Sequence, residues 1–512
     1  MSRSNILKLA LFATGLSGIV AEYILSTLAT YFLGNSVFQW TMIVSIMLFS
    51  MGLGSRFSRF IQTNLLQNFI RIEFTLSILV AFVSVITYSV SALYGSTGFI
   101  IYLLSIIIGL LIGMEVPLVI RLNNEYEALH VNVSSVMEND YYGSLLGGVF
   151  FAFIGLPFLG LTYTPFILGS INFIVACSLF AMLRKSVTLP QRRRLMVTTF
   201  MVFLFISMGS LMADNIIKYG EELRYKDEVI FEKQSKYQKI IITQSHNDFW
   251  LFINGNQQLS SIDEVMYHEP LVHPVMGLSG FPKDVLIIGG GDGGAAREVL
   301  KYNTVESITV VDLDPAMTKL GQEHSLLVEM NQNSMNHDKV AIINTDGFNY
   351  LENNKRYFDV IIIDLPDPKS IELGRLYSFE FYSLCSKRLR THGLMITQAG
   401  SPYYAARAFN CIDLTMQEAG FTTLPLHNQV VTLGEWGWVM GAKNVDKEQL
   451  KKALQNLDLK GIPTTWINKE AMTLISSFGK KAFMQDSMQV EVNRIHHPVL
   501  YQYYLDGRWD LY

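Results

Sequence analysis

Long apolar runs fill the first 213 residues of this chain, whereas the remaining residues alternate short apolar stretches with amphipathic ones. Seven of the runs are long enough to cross a bilayer as α-helices. We therefore predict a multi-pass transmembrane helical domain over residues 1–213 and a location in the cell (inner) membrane. The seven runs lie at about residues 6–33, 37–55, 69–93, 98–120, 143–162, 164–183 and 195–213.

The lysines and arginines that flank these runs predict a cytoplasmic N-terminus by the positive-inside rule. Seven crossings from that start would place residues 214–512 outside the cytoplasm. Six crossings, with residues 195–213 lying in the interface or re-entering, would keep them inside, and the sequence leaves the side open. The basic residues are Arg3 and Lys8 before the first run, Arg56, Arg59 and Arg71 between the second and third, Arg121 at the end of the fourth, and Arg184, Lys185, Arg192, Arg193 and Arg194 between the sixth and seventh.

Two of the predicted membrane helices contain a carboxylate, Glu22 in the first and Glu115 in the fourth. Charged groups inside a membrane are costly and often functional, so a path for cations is one interpretation. The favoured one is a neutral carboxyl group, or one satisfied by a neighbouring helix. The fifth run contains several glycines, which predict close packing against another helix: Gly143, Gly147, Gly148, Gly155 and Gly160.

The second part of the chain has the pattern of an α/β protein. Alternating residues over 228–259 predict a small antiparallel sheet, in a β domain that spans 214–262. Strands then alternate with helices over 263–441, which predicts a doubly wound, mostly parallel sheet. Residues 442–512 form a helical extension, whose aromatic end would dock on the preceding domain or on the membrane surface. The main strands are predicted at 284–288, 306–312, 339–344, 357–363, 393–397, 421–426 and 430–440, after a helix at 263–279.

A glycine-rich turn follows the first of these strands, in Gly289-Gly-Gly-Asp-Gly-Gly294, and an acid, Asp312, ends the next strand. This arrangement is typical of a nucleotide-like ligand, held by a close backbone turn and by an acid at its ribose. A turn that binds pyrophosphate offers N–H groups to an anion and disfavours a negative side chain. Asp292 inside the turn therefore indicates a ligand whose nearby end is cationic.

Acids follow the carboxyl ends of four successive strands, at Asp292, Asp312, Asp346 and Asp364. Ligands of open α/β sheets bind outside these strand ends. A single acid at such a position is most often a helix cap. Four of them predict a common binding site.

The composition excludes several classes of partner and site. Half of the residues are hydrophobic and 16% are charged, with a net charge of −4 and no long basic tract, so no nucleic-acid partner is predicted. The three cysteines, Cys177, Cys385 and Cys411, show no metal-binding spacing and no disulfide framework. We expect three buried thiols and no metal site.

Five motifs occur in order along the second part of the chain: Asp263-Glu-Val-Met-Tyr-His-Glu269, Gly289-Gly-Gly-Asp-Gly-Gly294, Asp312-Leu-Asp314, Asp346-Gly347 and Asp364-Leu-Pro-Asp-Pro368. Their order and spacing match those of the spermidine synthases, and residues 230–440 closely resemble that family. The whole chain resembles the membrane-embedded bacterial branch. The resemblance implies a Rossmann-like (methyltransferase-like) aminopropyltransferase domain behind the small β-sheet.

The family's substrates are decarboxylated S-adenosylmethionine, as a co-substrate and not a bound cofactor, and an amine that is usually putrescine. The resemblance implies that Asp292 binds the ammonium end of the donor, because this donor has lost its carboxylate. Asp312 would bind the ribose hydroxyls, Asp346 the adenine amino group, and Gly347 the adenine ring through its backbone. Gln238 matches a further donor contact.

The resemblance also implies residues for catalysis and for the acceptor. Asp364 would accept the proton of the attacking amine, with Tyr267 beside it, and methylthioadenosine would leave. His268 and Asp367 would bind the acceptor. The chain departs from the family here, since Leu365 and Pro366 separate the two acids and the usual glycine-proline segment is replaced by residues 369–377. A family tyrosine is also absent near the last strands, where Glu435 would either replace its contact or lie exposed on a strand edge.

Two other functions remain open on the sequence alone. A methyltransferase that uses S-adenosylmethionine is disfavoured by Asp292, which would face the carboxylate of that donor. A polyamine transporter or sensor with a non-catalytic nucleotide-binding domain is weakly supported by Glu22 and Glu115. The sequence is compatible with a homodimer but does not determine the number of chains.

Overall fold

The computed structural model describes residues 3–34, 36–94, 97–124, 126–183, 188–225, 227–479 and 489–509. The chain divides into two compact units, Met1–Val229 and Ile230–Tyr512. The first is helical and the second is α/β, as the hydrophobic pattern predicts. Arg184 and Lys185, and the parts of the extension at 480–488 and 510–512, lie outside the described residues.

The helical unit contains seven α-helical segments in its described residues. They are α1 (Arg3–Leu33), α2 (Ser36–Ser58), α3 (Leu65–Tyr94), α4 (Thr97–Asn123), α5 (Leu129–Phe150), α6 (Gly160–Leu183) and α7 (Leu189–Tyr225), with a π-helix at Phe151–Leu159 between α5 and α6. Helix α7 continues to Tyr225, so the predicted domain boundary after residue 213 falls inside a helix. Six helical runs in the described part are long and apolar enough to cross a membrane.

The predicted fifth and sixth membrane segments belong to one of these six runs, Leu129–Ala181, which is 53 residues long. The run is bent at Gly160, which has φ 61° and ψ −168°. Thr164 Oγ1 donates a 2.9 Å hydrogen bond to the carbonyl of Gly155, nine residues back. Nine residues of straight α-helix would separate the two groups by about 13 Å. The backbone therefore bends sharply here, at a residue that an apolar pattern does not distinguish.

Glycines allow the closest helix contacts in this unit. A Cβ atom at Gly143 would lie 2.0 Å from the carbonyl oxygen of Phe12, and one at Gly147 would lie 2.5 Å from that of Leu16. The predicted packing role therefore holds for these two glycines of α5, which lie against α1. It is wrong for Gly160, where an added Cβ atom would meet nothing within 4 Å.

Acidic side chains lie inside the helical unit. Glu22 and Glu115 are buried, as is Glu73 of α3, which the sequence analysis did not single out. Thr14 Oγ1 is 3.4 Å from Glu73 Oε1, and both carboxyl oxygens of Glu115 are buried without a hydrogen-bond partner. Glu73 and Glu115 both lie beside Thr14 of α1.

The α/β unit begins with the predicted small antiparallel sheet, in the strand order β1-β2-β3-β4. Its strands are rich in β-branched and aromatic residues that favour a pleated, half-buried surface. The strands are β1 (Glu228–Gln234), β2 (Lys239–Ser245), β3 (Asp248–Ile253) and β4 (Asn256–Ser260).

The main sheet has seven strands in the order β10-β11-β9-β8-β5-β6-β7. The five strands from β9 to β7 are parallel, and the β10–β11 hairpin is antiparallel. This is the predicted doubly wound sheet, with buried isoleucine-rich and valine-rich central strands that need helices on both faces. The strands are β5 (Asp284–Gly289), β6 (Ser307–Asp312), β7 (Val340–Asn344), β8 (Phe358–Asp364), β9 (Leu389–Gly400), β10 (Thr422–Val430) and β11 (Gly434–Ala442).

Helices cover both faces of this sheet, and the extension packs against the same unit. Tyr503 and Tyr504 of the extension are buried in the core on one face. The docking that the sequence left open is therefore on the α/β unit. The helices are α8 (Val265–Leu278), α9 (Gly294–Leu300), α10 (Pro315–Glu323), α11 (Ser325–Met330), α12 (Gly347–Asn353), α13 (Ile371–Gly374), α14 (Phe379–Arg388), α15 (Ala406–Glu418), α16 (Lys447–Gln455), α17 (Lys469–Ile475) and α18 (Leu500–Leu505), with 3₁₀ turns at Ser334–Asn336 and Arg375–Tyr377.

Candidate active site

A cavity lies at the carboxyl ends of β5, β6, β7 and β8, where the strand order reverses. Open α/β sheets bind their ligands at this position. The cavity is lined by residues of the small sheet, helix α8 and the four strand ends. Of the residues that the sequence analysis selected, Gln238, Tyr267, His268, Asp292, Asp312, Asp346, Gly347 and Asp364 line it.

The glycine-rich turn after β5 brings the backbone against the end of β8. Gly289 has φ 84°, and a Cβ atom there would lie 1.8 Å from the carbonyl oxygen of Asp364. A Cβ atom at Gly291 would lie 2.8 Å from Asp312 Oδ2. Glycine is therefore required for the two acids to approach the turn from both sides.

Asp292 closes the turn with its own carboxylate. Its Oδ1 accepts a 2.7 Å hydrogen bond from the Gly294 N–H at the start of α9 and lies 3.6 Å from Nε2 of His268. The carboxylate lines the cavity and is partly exposed. The turn therefore presents a negative group at the place where a phosphate-binding turn presents N–H groups.

Asp364, at the end of β8, accepts a 2.7 Å hydrogen bond from the hydroxyl of Tyr267 on α8. Burial and the nearby charge of Asp292 raise the pKa of Asp364 to about 6, although the charge of His268 and the hydrogen bond from Tyr267 act in the opposite direction. A carboxylate with a raised pKa is a better proton acceptor near neutral pH.

His268 lies between the acids of the cavity and a buried ion pair behind it. Its Nδ1 is 2.7 Å from Glu264 Oε2, and Arg297 binds both oxygens of Glu264 at 2.7 and 2.8 Å. Burial alone would lower the pKa of His268, but Glu264, Asp292 and Asp364 raise it to about 9. His268 is therefore a cation at neutral pH.

Glu264 and Arg297 form a buried ion pair beside the site that sequence reasoning missed. Glu264 stands out in the sequence only as part of the first motif, and the glycine motif ends before Arg297. The two residues are separated by 33 positions, so neither local pattern shows their contact. Their pairing fixes the His268 ring, which lies so close to α9 that a Cβ atom at Gly294 would be 2.4 Å from its Cε1.

Asp312 lies across the cavity from Asp364, at the end of β6. Its Oδ1 accepts a 2.8 Å hydrogen bond from the N–H of Asp314, and burial raises its pKa to about 6 in spite of that bond. Asp314 caps α10 and accepts a 2.7 Å hydrogen bond from Ser235, in the turn that carries Gln238. The small sheet is thereby fixed beside the part of the cavity that Asp312 lines.

Asp346 caps α12, with Oδ1 accepting a 2.9 Å hydrogen bond from the N–H of Asn349. Its other oxygen forms an ion pair with Arg375, which also lies over the ring of Phe348 at 5.3 Å. Arg375 belongs to the segment 369–377 that replaces the family pattern, and its contact with Asp346 could not be predicted. Asp346 therefore reaches the cavity as a paired carboxylate.

Two of the three predicted acceptor residues do not line the cavity. Asp367 accepts a 2.6 Å hydrogen bond from Tyr504 of α18. Glu435, on β11, forms an ion pair with His427 of the neighbouring strand β10. Glu435 does not line this cavity, and it is paired on an inner strand of the sheet and not exposed on a strand edge.

Two clusters of histidine and acidic side chains in the described residues resemble metal sites, but cationic side chains of the protein balance the charge of both. One ligand atom each of His268, Asp292 and Asp364 lies within 4.8 Å of the others, as in a second group of Glu269, His273 and Glu298. In the first group, Nδ1 of His268 is already paired with Glu264, and Nε2 lies 3.6 Å from Asp292 Oδ1. Glu298 is neutralised by Arg297 and Lys301 at 2.8 and 2.6 Å.

The chain is similar to several known proteins. The family model described as Spermine/spermidine synthase domain matches residues 264–452. The chain is 40% identical over 506 residues to polyamine aminopropyltransferase 2 of Aquifex aeolicus, covering 98% of this chain and 99% of that protein. It is 38% identical over 495 residues to the polyamine aminopropyltransferase of Leptospira interrogans, covering 96% of both. A solved spermidine synthase from Thermotoga maritima matches 49% of this chain and 84% of its own at 28% identity and a TM-score of 0.44. The two curated relatives match along both units, including the apolar one.

Proposed function

Because this chain belongs to the polyamine aminopropyltransferase family, we propose that it transfers an aminopropyl group from decarboxylated S-adenosylmethionine to putrescine. The products are spermidine and methylthioadenosine. The observation that carries the proposal is Asp292, a carboxylate inside the glycine-rich turn and at the edge of the cavity. It suits a donor that ends in an ammonium group and disfavours one that ends in a carboxylate.

The donor site supports this assignment along its length. Asp312 binds the two ribose hydroxyls, Asp346 and Gly347 hold the adenine, and Gln238 lies over the donor from the small sheet. All four line the cavity with Asp292. The ion pair between Asp346 and Arg375 leaves the carboxylate in place as an acceptor for the adenine amino group.

The reaction is an in-line displacement. The nitrogen of the amine attacks the carbon next to the sulfonium, and the C–S bond breaks with its electron pair moving to sulfur. The attacking amine must be neutral, although alkylamines are almost fully protonated at neutral pH. Asp364 accepts that proton, while Tyr267 orients its carboxylate through the 2.7 Å hydrogen bond. No cofactor or metal takes part in this scheme.

His268 acts through the acids that it contacts. Its positive charge lies 3.6 Å from Asp292 and lowers the pKa of Asp364. It therefore favours the ionised form of Asp364, and its predicted role in acceptor binding becomes one of positioning and charge balance. Alignment of the two reactants supplies the larger part of the rate enhancement in a displacement with a good leaving group.

The helical unit suits a multi-pass protein of the cell membrane. Its six apolar helical runs are compatible with membrane spanning. On this basis the helical unit lies in the lipid bilayer, and the α/β unit binds its small-molecule substrates from solution.

The proposal is tested by following methylthioadenosine release from purified full-length protein. We expect release that depends on an added amine, and a decrease of about 10²–10⁴-fold in kcat for Asp364→Asn, since general bases contribute this much. Asp338→Asn, at an exposed position, is the matched control and should keep full activity. If Asp364→Asn retains the wild-type rate, Asp364 is not the proton acceptor; if no amine supports release, the transferase assignment fails.

A further inference from the structure

Both carboxylate oxygens of Asp346 are held by the protein. Oδ1 accepts a 2.9 Å hydrogen bond from the N–H of Asn349, and Oδ2 accepts a hydrogen bond from Nη2 of Arg375. The side chain of Asp346 lines the cavity and is 19% exposed. The two bonds therefore fix the orientation of a carboxylate that a ligand can reach.

Arg375 contacts this carboxylate from outside the cavity. Its guanidinium lies 5.3 Å from the ring centre of Phe348, which is within the range of a cation–π contact. Phe348 is stacked in turn on Phe381, with the ring centres 6.0 Å apart. Arg375 does not line the cavity. It is therefore placed to act on a ligand through Asp346 and not by direct contact.

The backbone that carries Arg375 is held by the C-terminal extension. Asn493 is 1% exposed and donates hydrogen bonds of 2.8 and 3.2 Å to the carbonyls of Gly374 and Tyr377, one on each side of Arg375. Tyr377 is fully buried, and its neighbour Leu376 lines the cavity. The turn at Arg375 is thus a fixed part of the cavity wall.

Loss of the arginine would leave Asp346 held at one oxygen only. The last torsion of an aspartate side chain is broad, so a carboxylate with a single contact can rotate. A hydrogen bond weakens steeply as its angle departs from linear. A fixed carboxylate therefore binds an amino group of a ligand more tightly than a rotating one, and it disfavours an oxygen at the same place because both groups are acceptors.

We propose that Arg375 is a positioning residue for the base of the donor, which acts through Asp346 and makes the site selective for a 6-amino purine over a 6-oxo purine. The inference rests on the proposed function, because it places the adenine amino group at Asp346. It adds a residue from the segment 369–377, in which the chain departs from the family pattern, to the donor side of the site.

The test compares methylthioadenosine with methylthioinosine, which has an oxygen in place of the 6-amino group. Calorimetry with the purified full-length protein gives the ratio of the two affinities. Arg375→Met should lower this ratio by about two- to fivefold, the contribution expected of a partly exposed ion pair. Arg356→Met is the matched control and should keep the wild-type ratio. Arg356 likewise pairs with Asp284 and lies over the ring of Phe358, outside the cavity.

A double variant separates an action through Asp346 from a direct contact with the base. Asp346→Asn should itself lower the ratio, because an amide can pair with either an amino group or an oxygen. Adding Arg375→Met to Asp346→Asn should lower it no further, since residues that act through one contact are not additive. A decrease of less than twofold in Arg375→Met, or a further decrease in the double variant, would overturn the inference.

Failure of the proposed function is recognised separately. If no amine supports methylthioadenosine release, the transferase assignment fails, and the affinity ratio still decides the role of Arg375. A wild-type protein that binds both nucleosides equally, or neither, would overturn the inference itself. If Arg375→Met lowers the thermal midpoint more than Arg356→Met does, Arg375→Gln takes its place.

Discussion

The hydroxyl of Tyr267 and the carboxylate of Asp364 form the contact on which the proposed proton transfer depends. Asp364 must be ionised to accept a proton, and its pKa is raised to about 6. As the pH falls through this value the carboxylate becomes protonated, so kcat/KM should fall tenfold per pH unit below about 6. A profile of kcat/KM between pH 4.5 and 8 measures this limb, because it reports the groups of the free enzyme.

Substitution of Tyr267 tests whether the titration of Asp364 causes the acid limb of the pH profile. The hydrogen bond from Tyr267 lowers the pKa of Asp364, so Tyr267→Phe should move the midpoint of the acid limb to higher pH. Tyr357→Phe, at an exposed tyrosine, should leave the midpoint where it is. A midpoint that moves to lower pH, or does not move, would show that another group controls the limb.

The carboxylate of Asp292 is expected to choose between the two forms of the donor. Asp292→Asn removes the negative charge and retains a side chain that can accept the hydrogen bond from Gly294. The ratio of binding constants for decarboxylated and carboxylated S-adenosylmethionine should decrease by about tenfold or more, as expected for the loss of a charge-assisted contact. Calorimetry with both donors measures the ratio, with Asp338→Asn as control. An unchanged ratio would show that Asp292 does not determine which form of the donor binds.

At the scale of elements, strand ends could be predicted from sequence, whereas contacts distant in the chain could not. Asp292, Asp312, Asp346 and Asp364 follow four successive strands, and the parallel order of the sheet brings them to one edge. Periodicity and turn residues carry that information locally. The contact of Asp367 with Tyr504 spans 137 residues and depends on how the extension folds back, which no local pattern specifies.

Glu269 connects helix α8 to the extension, and its substitution tests how firmly the extension is held. Its fully buried carboxylate accepts hydrogen bonds from the N–H groups of Thr465, Trp466 and Ile467 at 2.6, 2.8 and 2.7 Å. In Glu269→Gln the amide group would place N–H donors against N–H donors. We expect a loss of about 1.5–3 kcal/mol, the usual contribution of a hydrogen bond to a charged group.

The thermal midpoint and the rate of proteolytic removal of the residues after 442 measure this loss. In Glu269→Gln the thermal midpoint should fall and proteolytic removal should become faster. Both should stay at wild-type values in Glu352→Gln, where the side chain is exposed. If removal of the extension is not faster in Glu269→Gln, the contact does not hold the extension in solution.

At the scale of the whole molecule, hydropathy predicted the two-part organisation but not the divisions within the helical unit. An apolar pattern shows which residues avoid water, and it does not show where a helix bends. For this reason the predicted break between residues 162 and 164 appears as a bend at Gly160 within one helical run. Helix α7 extends to Tyr225 because polar residues continue its helical pattern past the apolar segment.

Substitution of Glu115 tests whether the interior of the helical unit holds a charged side chain. Both of its carboxyl oxygens are buried without a hydrogen-bond partner, so a charge there would be strongly unfavourable. Glu115→Gln replaces the carboxyl with a neutral group of the same shape and should keep the thermal midpoint within about 2 °C of wild type, since a small change in stability moves the midpoint little. Gly113→Leu on the same helix should lower it strongly, because a Cβ atom there would lie 2.1 Å from a carbonyl oxygen of α2.

A large loss of thermal stability in Glu115→Gln would contradict this account of the unit. It would mean that Glu115 is ionised and paired with a cation inside the unit. Differential scanning fluorimetry of the detergent-solubilised protein compares the two variants under the same conditions.

The most direct test of the central claim is the mass of the amine product after the purified protein reacts with putrescine and decarboxylated S-adenosylmethionine. The account predicts spermidine, formed in an amount equal to methylthioadenosine, and no methylated amine when S-adenosylmethionine is the donor. A methylated amine, or bound donor with unchanged putrescine, would contradict aminopropyl transfer to this acceptor.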